Sequence, residues 1–173
     1  MALRLIVGMG GRAARVLEVG RGSGRNRAAL LDAGLAVESV DEDALHLARG
    51  PFEGCLSSHA LLHGTPATLE ADLRRIGALL VPGTRLYATF GSKRDARFGR
   101  GLRIAEHVFA PTDGDEAGVA HTFWDDRELH ALLAGFELEE FVEVDVDEIA
   151  GSWAHATAPL RGAVHWFVIA RKI

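Results

Sequence analysis

The chain has 173 residues, of which 48% are hydrophobic and 25% are charged, and its formal net charge is −5. This balance is typical of a globular domain, and a chain of this length buries roughly 70% of the surface that it exposes when unfolded. The single cysteine, Cys55, excludes an internal disulfide framework. The acidic charge disfavours a nucleic-acid-binding platform, and no apolar run reaches the ~18 residues of a membrane helix. We therefore expect one soluble, cytoplasmic domain over residues 1–173, without membrane or nucleic-acid partners.

Short apolar runs alternate with helical patterns in the first half of the chain. A continuous apolar run bounded by glycine predicts a buried strand, and apolar residues three and four apart predict a helix. The predicted elements are a strand at 15–19, a helix at 26–33, a strand at 36–40, a short helical stretch at 43–49, a strand at 54–58, a helix that begins at Pro66, a turn at Pro82-Gly83 and a strand at 85–90. This order favours a parallel sheet with helices on its faces.

The second half begins with a segment, residues 91–120, that lacks a clear period and is expected to be a variable loop or lid. A helix is predicted at 125–134, where Asp125 and Glu128 have the spacing of a capping box. Strands are predicted at 136–144 and 164–170, and no clear helix connects them. Such a connection favours an antiparallel pair at the edge of an otherwise parallel sheet.

A glycine-rich loop follows the first predicted strand, in the sequence Val-Leu-Glu-Val-Gly-Arg-Gly-Ser-Gly-Arg-Asn of residues 16–26. Alternating glycines between a strand and a helix let the backbone approach a bulky ligand closely. The nicotinamide-dinucleotide fingerprint G-x-G-x-x-G fails here, because Arg25 occupies its sixth place. A literal match at 8–13 leaves no room for a helix before the strand at Val16. The loop therefore predicts a ligand site, but an oxidoreductase is disfavoured.

The acidic-x-G-x-G-x-G pattern from Glu18 to Gly24 resembles motif I of class I S-adenosylmethionine-dependent methyltransferases. The similarity continues through 56–66, 86–99, 151–155 and 164–168, and the group most similar is the small tellurite-resistance and thiopurine type, here shortened. This resemblance implies an α/β, Rossmann-like fold with helices on both faces of a mostly parallel sheet and an antiparallel C-terminal hairpin. It also implies S-adenosylmethionine as cofactor and a small molecule as methyl acceptor.

The resemblance also assigns roles to individual residues. Gly20, Gly22 and Gly24 would pass under the methionine part and ribose of the cofactor, and Glu18 would hold the loop or receive the cofactor's amino group. A carboxylate at the end of the second strand would accept the ribose hydroxyls through charge-assisted hydrogen bonds. Two serines at the mouth of the next strand would lie near the transferable methyl group. The residues concerned are Glu18, Gly20, Gly22, Gly24, Asp41, Ser57 and Ser58.

The segment between the second predicted strand and Pro51 is too short for the usual helix and third strand, so one sheet strand is expected to be absent. Two alignments compete. In one, residues 36–41 are the second strand, the third strand is missing, and Asp41 binds the ribose. In the other, residues 37–47 match the third strand, and Asp43 contacts the adenine edge. The first alignment is favoured, because residue 36 follows the first helix at a natural distance. Residues 1–11 are expected to supply no helix that covers the cofactor.

Histidines are the candidate proton acceptors, since an imidazole titrates near neutral pH. His59 or His121 could accept the proton of a substrate nucleophile, and the alternative is that each only bonds a backbone group. His59 and His63 have helical i, i+4 spacing and could bind a metal with His121, His155 or His165. No carboxylate or cysteine completes an obvious ligand set, so we predict no metal site.

Two functions from different classes remain open. The first is methyl transfer from S-adenosylmethionine to a small-molecule acceptor. The second is a degenerate methyltransferase-like domain that acts as a binding or interaction module, as the absent strand suggests. Hydrolase chemistry lacks the G-x-S-x-G pattern. An exposed sheet edge would benefit from cover, so a homodimer is a further expectation.

Overall fold

The structure, a computed structural model, describes residues 1–146 and 162–173. Its elements in chain order are α1 (Ala2–Met9), β1 (Arg15–Val19), α2 (Arg25–Asp32), β2 (Ala36–Val40), a 3-10 helix (Glu42–Leu47), β3 (Phe52–Ser57), α3 (Pro66–Leu79), β4 (Leu80–Ser92), β5 (Leu102–Ala105), β6 (Val108–Ala110), β7 (His121–Trp124), α4 (Asp126–Leu132), β8 (Phe136–Asp145) and β9 (Val164–Lys172). Most ends lie within two residues of the predicted ones. The segment 151–155, on which part of the resemblance depends, lies outside the described residues.

The central sheet is mostly parallel and ends in an antiparallel hairpin, as predicted. Strands β2, β1, β3 and β4 are parallel neighbours in that order. Strand β9 runs antiparallel to β4, and β8 runs antiparallel to β9. Apolar residues of both faces are buried along β1 and β3, as expected for parallel strands covered by helices. The carboxyl ends of β1, β2 and β3 therefore lie at one edge of the sheet.

The register of β2 bears on the two competing alignments. All five residues of β2 pair with β1, from Arg15 opposite Ala36 to Val19 opposite Val40. Among the described residues, no strand pairs with the other edge of β2. This arrangement favours the first alignment, in which Ala36–Val40 is the second strand and the third strand is missing.

Strand β4 is longer than the predicted one. It begins at Leu80, directly after α3, and passes through the predicted turn at Pro82-Gly83. The turn is accommodated as an irregularity, because the partner of Phe52 is Leu80 whereas that of Gly54 is Arg85. The last two residues of β4 pair in parallel with β7, which leads through β6 to β5 in antiparallel steps. The segment expected to be a loop or lid thus contains two short strands.

Helices cover both faces of the sheet. On one face, α3 and α4 pack through residues such as Leu69, Leu73, Ile76, Leu129 and Leu133. On the other face, α1 and α2 contribute Leu5, Met9 and Leu30. Helix α4 begins with the predicted capping box, in which Asp125 accepts from the Glu128 N–H and Glu128 accepts from the Asp125 N–H.

Helix α1 was not predicted. Leu5 and Met9 are buried against the sheet, and the last turn of α1 comes so close to β3 that a Cβ on Gly54 would lie 2.6 Å from the Met9 side chain. The helix covers the sheet rather than the ligand cavity, which is described below. Among the described residues the longest helix, α3, has 14 residues, and no helix has the length and apolar run needed to span a bilayer.

Candidate active site

A cavity of about 540 Å³ opens where β1, β2 and β3 end. Open α/β sheets bind their ligands at this place, because successive loops diverge there and leave a crevice. The lining residues come from the glycine loop, the ends of β2 and β3, and the segment before β7: Gly20, Arg21, Gly22, Ser23, Arg25, Asn26, Asp41, Glu42, Ser58, His59, Ala60, His63, Glu116 and Val119.

The glycine loop forms one wall of the cavity. Gly20, Gly22 and Gly24 have φ of 85°, 44° and 76°, a region that glycine adopts without strain. A Cβ on Gly20 would lie only 2.5 Å from the Ala60 Cβ, so glycine is needed there to let two loops meet. A Cβ added to Gly22 or Gly24 would meet no other atom within 4 Å. Of the three, Gly20 and Gly22 line the cavity, whereas Gly24 is the N-cap of α2.

Glu18 lies in β1 just before the glycine loop, has only 1% of its surface exposed and does not line the cavity. Its Oε2 accepts a 2.6 Å hydrogen bond from the Ser39 hydroxyl. Its Oε1 is buried and has no hydrogen-bond partner among the described residues. Burial raises the pKa of this carboxyl above its usual value, against the opposing effect of Ser39. A buried acceptor without a donor is costly, so Glu18 is suited to bind a donor that the loop or a ligand supplies.

Asp41 and Asp43 differ clearly in position. Asp41 follows β2, lines the cavity, and accepts hydrogen bonds from the Arg21 backbone N–H at 3.3 Å and the Arg21 Nε at 2.9 Å. The Arg21 guanidinium holds the pKa of Asp41 below its usual range. Both side chains are well exposed, at 60% for Arg21 and 38% for Asp41, so the pair is weak and Arg21 is easily displaced. Asp43 lies in the 3-10 helix and does not line the cavity.

Ser57 is the last residue of β3, and Ser58 and His59 follow it; the three differ in their position relative to the cavity. Ser57 is fully buried and does not line the cavity, whereas Ser58 and His59 do. His59 has φ of 67°, which is unusual for a residue with a side chain, and its N–H donates to the Thr89 hydroxyl at 2.9 Å. Its ring lies edge-on to that of His165, with 4.7 Å between the ring centroids. The left-handed backbone turns the chain so that His59 lies on the cavity wall.

His121 lies in β7 with 2% of its surface exposed and does not line the cavity. Its Nδ1 bonds the Val119 carbonyl at 2.8 Å, and its Nε2 lies 3.1 Å from Glu116 Oε2. Glu116 itself lines the cavity. Of the two histidines predicted as proton acceptors, only His59 therefore lines the cavity.

Three cavity residues, Glu42, His63 and Glu116, were not predicted to form part of the cofactor site. His63 Nδ1 donates to Glu42 Oε1 at 2.8 Å, and its Nε2 lies 3.7 Å from Glu116 Oε1. Burial alone would lower the pKa of His63, but the carboxylates of Glu116 and Glu42 outweigh burial and raise it to about 9. The same contacts hold the pKa of Glu116 well below its usual value. The i, i+4 spacing of His59 and His63 was misleading, because residues 58–64 form turns rather than a helix.

Behind His59 lies a buried cluster from the start of the variable segment and β9. Asp95, 3% exposed, accepts two hydrogen bonds from the Arg97 guanidinium and one from the Val164 N–H. Arg97 also donates to His165 Nε2 at 2.8 Å. The charged segment at residues 94–100 is therefore partly interior, because Asp95 is buried and pairs with Arg97.

These residues fit S-adenosylmethionine. Gly20 and Gly22 leave room for a bulky ligand against the backbone, and Asp41 offers an exposed carboxylate of the kind that binds a diol. The buried, unpartnered Oε1 of Glu18 indicates a place where a donor group is held.

Comparison with solved structures supports this fold assignment. An S-adenosylmethionine-dependent methyltransferase from Methanosarcina mazei superposes with a TM-score of 0.71 at 19% identity, over 93% of each chain. A Burkholderia thailandensis 1,6-didemethyltoxoflavin-N1-methyltransferase, crystallised with its substrate and S-adenosylhomocysteine, gives 0.68 at 23% identity, over 99% of this chain and 76% of that one.

TehB from Haemophilus influenzae gives a TM-score of 0.65 at 10% identity, over 99% of this chain and 61% of that one. The fold is that of the S-adenosylmethionine-dependent methyltransferases. No protein-family model matches the sequence. No curated protein sequence matches it either.

Proposed function

We propose that this chain transfers a methyl group from S-adenosylmethionine to a small-molecule acceptor. The observation that carries the proposal is the cavity at the carboxyl ends of β1–β3, where the glycine loop and Asp41 face the same space. Its volume is within the range of about 300–1,000 Å³ that is usual for small-ligand pockets. The Methanosarcina mazei and Burkholderia thailandensis neighbours are named as methyltransferases, and the second was crystallised with S-adenosylhomocysteine.

The residues around the cavity would share the work of binding. Gly20 and Gly22 pass beneath the cofactor, Asp41 accepts its ribose hydroxyls after Arg21 moves aside, and Ser58 lies at the mouth of β3. Glu18 orders the loop from below, and Gly24 starts α2. When bound, S-adenosylmethionine supplies an activated methyl group, so the protein mainly has to align the acceptor and exclude water. Ser57 and Asp43 have no direct contact with the cavity and are assigned no binding role.

His59 is the proposed general base. It lines the cavity, whereas His121 is buried and held by Glu116 and Val119. A positioned base contributes about 10²–10⁴-fold to a rate. The missing third strand suggested the alternative, a binding module without catalysis, but in the described part of the chain the cavity at the ends of β1–β3 is present without that strand, so methyl transfer is preferred.

The proposal is tested by calorimetric titration of the purified chain with S-adenosylhomocysteine, with NADH as the control ligand. We expect micromolar binding of S-adenosylhomocysteine only. Asp41→Asn should weaken it at least about tenfold, because a charge-assisted pair of hydrogen bonds is lost. Asp43→Asn, the matched control, should bind like the wild type.

A folded protein that binds neither S-adenosylhomocysteine nor S-adenosylmethionine would overturn the proposal. A larger effect of Asp43→Asn would instead support the second alignment. With an acceptor found by screening, His59→Asn should keep the affinity for S-adenosylhomocysteine and lose turnover, since asparagine tolerates the left-handed backbone. Unchanged turnover would remove His59 as the base.

A further inference from the structure

One wall of the cavity carries an arrangement that methyl transfer does not require. His63, Glu116 and His121 come from three places in the chain, and one potential ligand atom of each lies within 4.8 Å of the others. His63 and His121 are adjacent through an isolated antiparallel bridge, and their ring centroids are 4.9 Å apart. Glu116 lies against both rings, at 3.7 Å from His63 Nε2 and 3.1 Å from His121 Nε2.

The outer contacts of both histidines orient them in the same way. His63 Nδ1 is bonded to the Glu42 carboxylate, and His121 Nδ1 is bonded to the Val119 carbonyl. In each ring, therefore, Nδ1 donates to an oxygen acceptor, and Nε2 is turned toward Glu116. Metal-binding histidines nearly always donate their second N–H to a carboxylate or a backbone carbonyl, which fixes the ring and its tautomer. Both kinds of outer contact are present here.

His63 Nε2 is buried and has no hydrogen-bond partner among the described residues. A buried polar atom without a partner is costly, and this one is directed toward a carboxylate beyond hydrogen-bonding distance. The local charge favours a cation, because Glu42 and Glu116 lie around the two rings. The nearby Arg97, whose Nη1 is 4.0 Å from Glu116 Oε2, is already bound by Asp95.

We propose that His63, Glu116 and His121 bind one divalent transition-metal ion, with zinc as the best match. Two imidazoles and one carboxylate form the ligand set of zinc sites that keep an open coordination position, and also of mononuclear iron(II) sites. Ligands at 2.0–2.1 Å from a tetrahedral ion are about 3.4 Å apart. Since the ligand atoms lie within 4.8 Å of one another, each pair has to approach by about 1.4 Å at most on binding.

The ion would lie at the edge of the proposed cofactor cavity, because His63 and Glu116 both line it. Its open position would face that cavity and take water or a heteroatom of a small ligand. The site goes beyond the proposed methyl transfer and does not depend on it. A metal ligated here would also fix the segment around Glu116 against the turn that contains His63.

The test is calorimetric titration of the chelator-treated, tag-free chain with Zn²⁺ alone, supported by the visible absorption of its Co²⁺ complex. We expect one ion per chain. Glu116→Gln and His63→Gln should each weaken binding by at least about 100-fold, and Glu42→Gln, which removes only an outer contact, by about 10–100-fold. His46→Gln and Glu106→Gln, at exposed positions, are the matched controls and should bind like the wild type.

Circular dichroism of each variant establishes that it is folded, and Zn²⁺ should raise the melting temperature of the wild type but not of Glu116→Gln. Wild-type affinity no tighter than that of Glu116→Gln would overturn the site. In that case His63 is a half-buried cation paired with two carboxylates. The zinc titration contains no S-adenosylhomocysteine, so the two proposals are tested separately. A chain that binds zinc but not S-adenosylhomocysteine would support the metal site and refute methyl transfer. A chain that binds S-adenosylhomocysteine but not zinc would support methyl transfer and refute the metal site.

Discussion

At the scale of single residues, Gly20 and Gly22 have different physical reasons to be glycine. Both have positive φ, but only Gly20 touches another part of the chain, where Ala60 would lie 2.5 Å from an added Cβ. Gly22 faces the cavity, and an added Cβ would meet nothing within 4 Å. The first glycine therefore closes the loop onto the β3 end, and the second leaves space for a ligand.

Gly20→Ala should destabilise the chain more than Gly22→Ala. Both variants place an alanine in the left-handed region, which lowers the free energy of unfolding by about 1 kcal/mol. Gly20→Ala adds a clash with Ala60, so its free energy of unfolding should fall by about 2–4 kcal/mol in all. The free energy of unfolding is measured by urea denaturation. S-adenosylhomocysteine affinity should fall in both variants, because both line the cavity. Equal stabilities of the two variants would contradict the close contact between Gly20 and Ala60.

At the scale of elements, α1 illustrates how packing gives a short helix its stability. Eight residues are too few for a stable helix in water. Leu5 is fully buried and Met9 is 6% exposed in the same apolar cluster as Leu30 and Leu56, whereas Leu3 is 72% exposed. The buried side chains tie α1 to α2 and the sheet. The helix is therefore a product of its contacts rather than of its own sequence propensity.

Leu5→Ala should lower the free energy of unfolding by about 2–4 kcal/mol, because it removes buried methyl groups and leaves a cavity. Leu3→Ala is the matched control on the same helix and should change it by less than about 0.5 kcal/mol. Chemical denaturation of the three proteins provides the comparison. A similar small effect of both substitutions would mean that α1 is not packed on the sheet.

At the scale of the whole molecule, the cluster of Asp95, Arg97 and His165 joins the segment after β4 to β9. His165 is 1% exposed, and its Nε2 accepts from Arg97, so the ring is held neutral. Burial, the neighbouring His59 and the cation of Arg97 lower its pKa to about 3, despite Asp95 at 3.7 Å. The unfolded chain protonates the same histidine near pH 6.5. Acid therefore favours the unfolded state through this residue.

Stability should decrease as the pH falls below about 6.5. Between the two pKa values of His165, the unfolded state binds one more proton than the folded state. Each unit by which the pH falls in this range therefore lowers the free energy of unfolding by about 1.4 kcal/mol. The carboxyls of Asp95 and Glu116, whose pKa values are lowered, lose their contributions only below their unfolded values of 3.8 and 4.5. Denaturation of the wild type and of His165→Gln from pH 6.5 to 4.5 should give a shallower slope for the variant. Identical slopes would show that His165 is not buried in its neutral form.

Local sequence patterns determined most of the architecture. Short, largely apolar segments next to glycines located β1 and β2, and the Asp125–Glu128 spacing located the start of α4. The pattern from Glu18 to Gly24 located the glycine loop that lines the cavity. These features depend on residues close together in the chain, so their physics is present in the sequence itself. The position of Asp41 at the cavity, rather than Asp43, followed from the same reasoning.

Only the tertiary structure decided the rest. Glu116 is 53 residues from His63 in the sequence and stands in a segment without a clear period, so no local pattern pairs them. Asp95 is buried through contacts with Arg97 and with Val164, which is 69 residues away in the sequence. Helix α1 and the interior position of His121 likewise depend on long-range packing. Contacts between distant residues depend on chain topology, and the topology is fixed only when the core is buried.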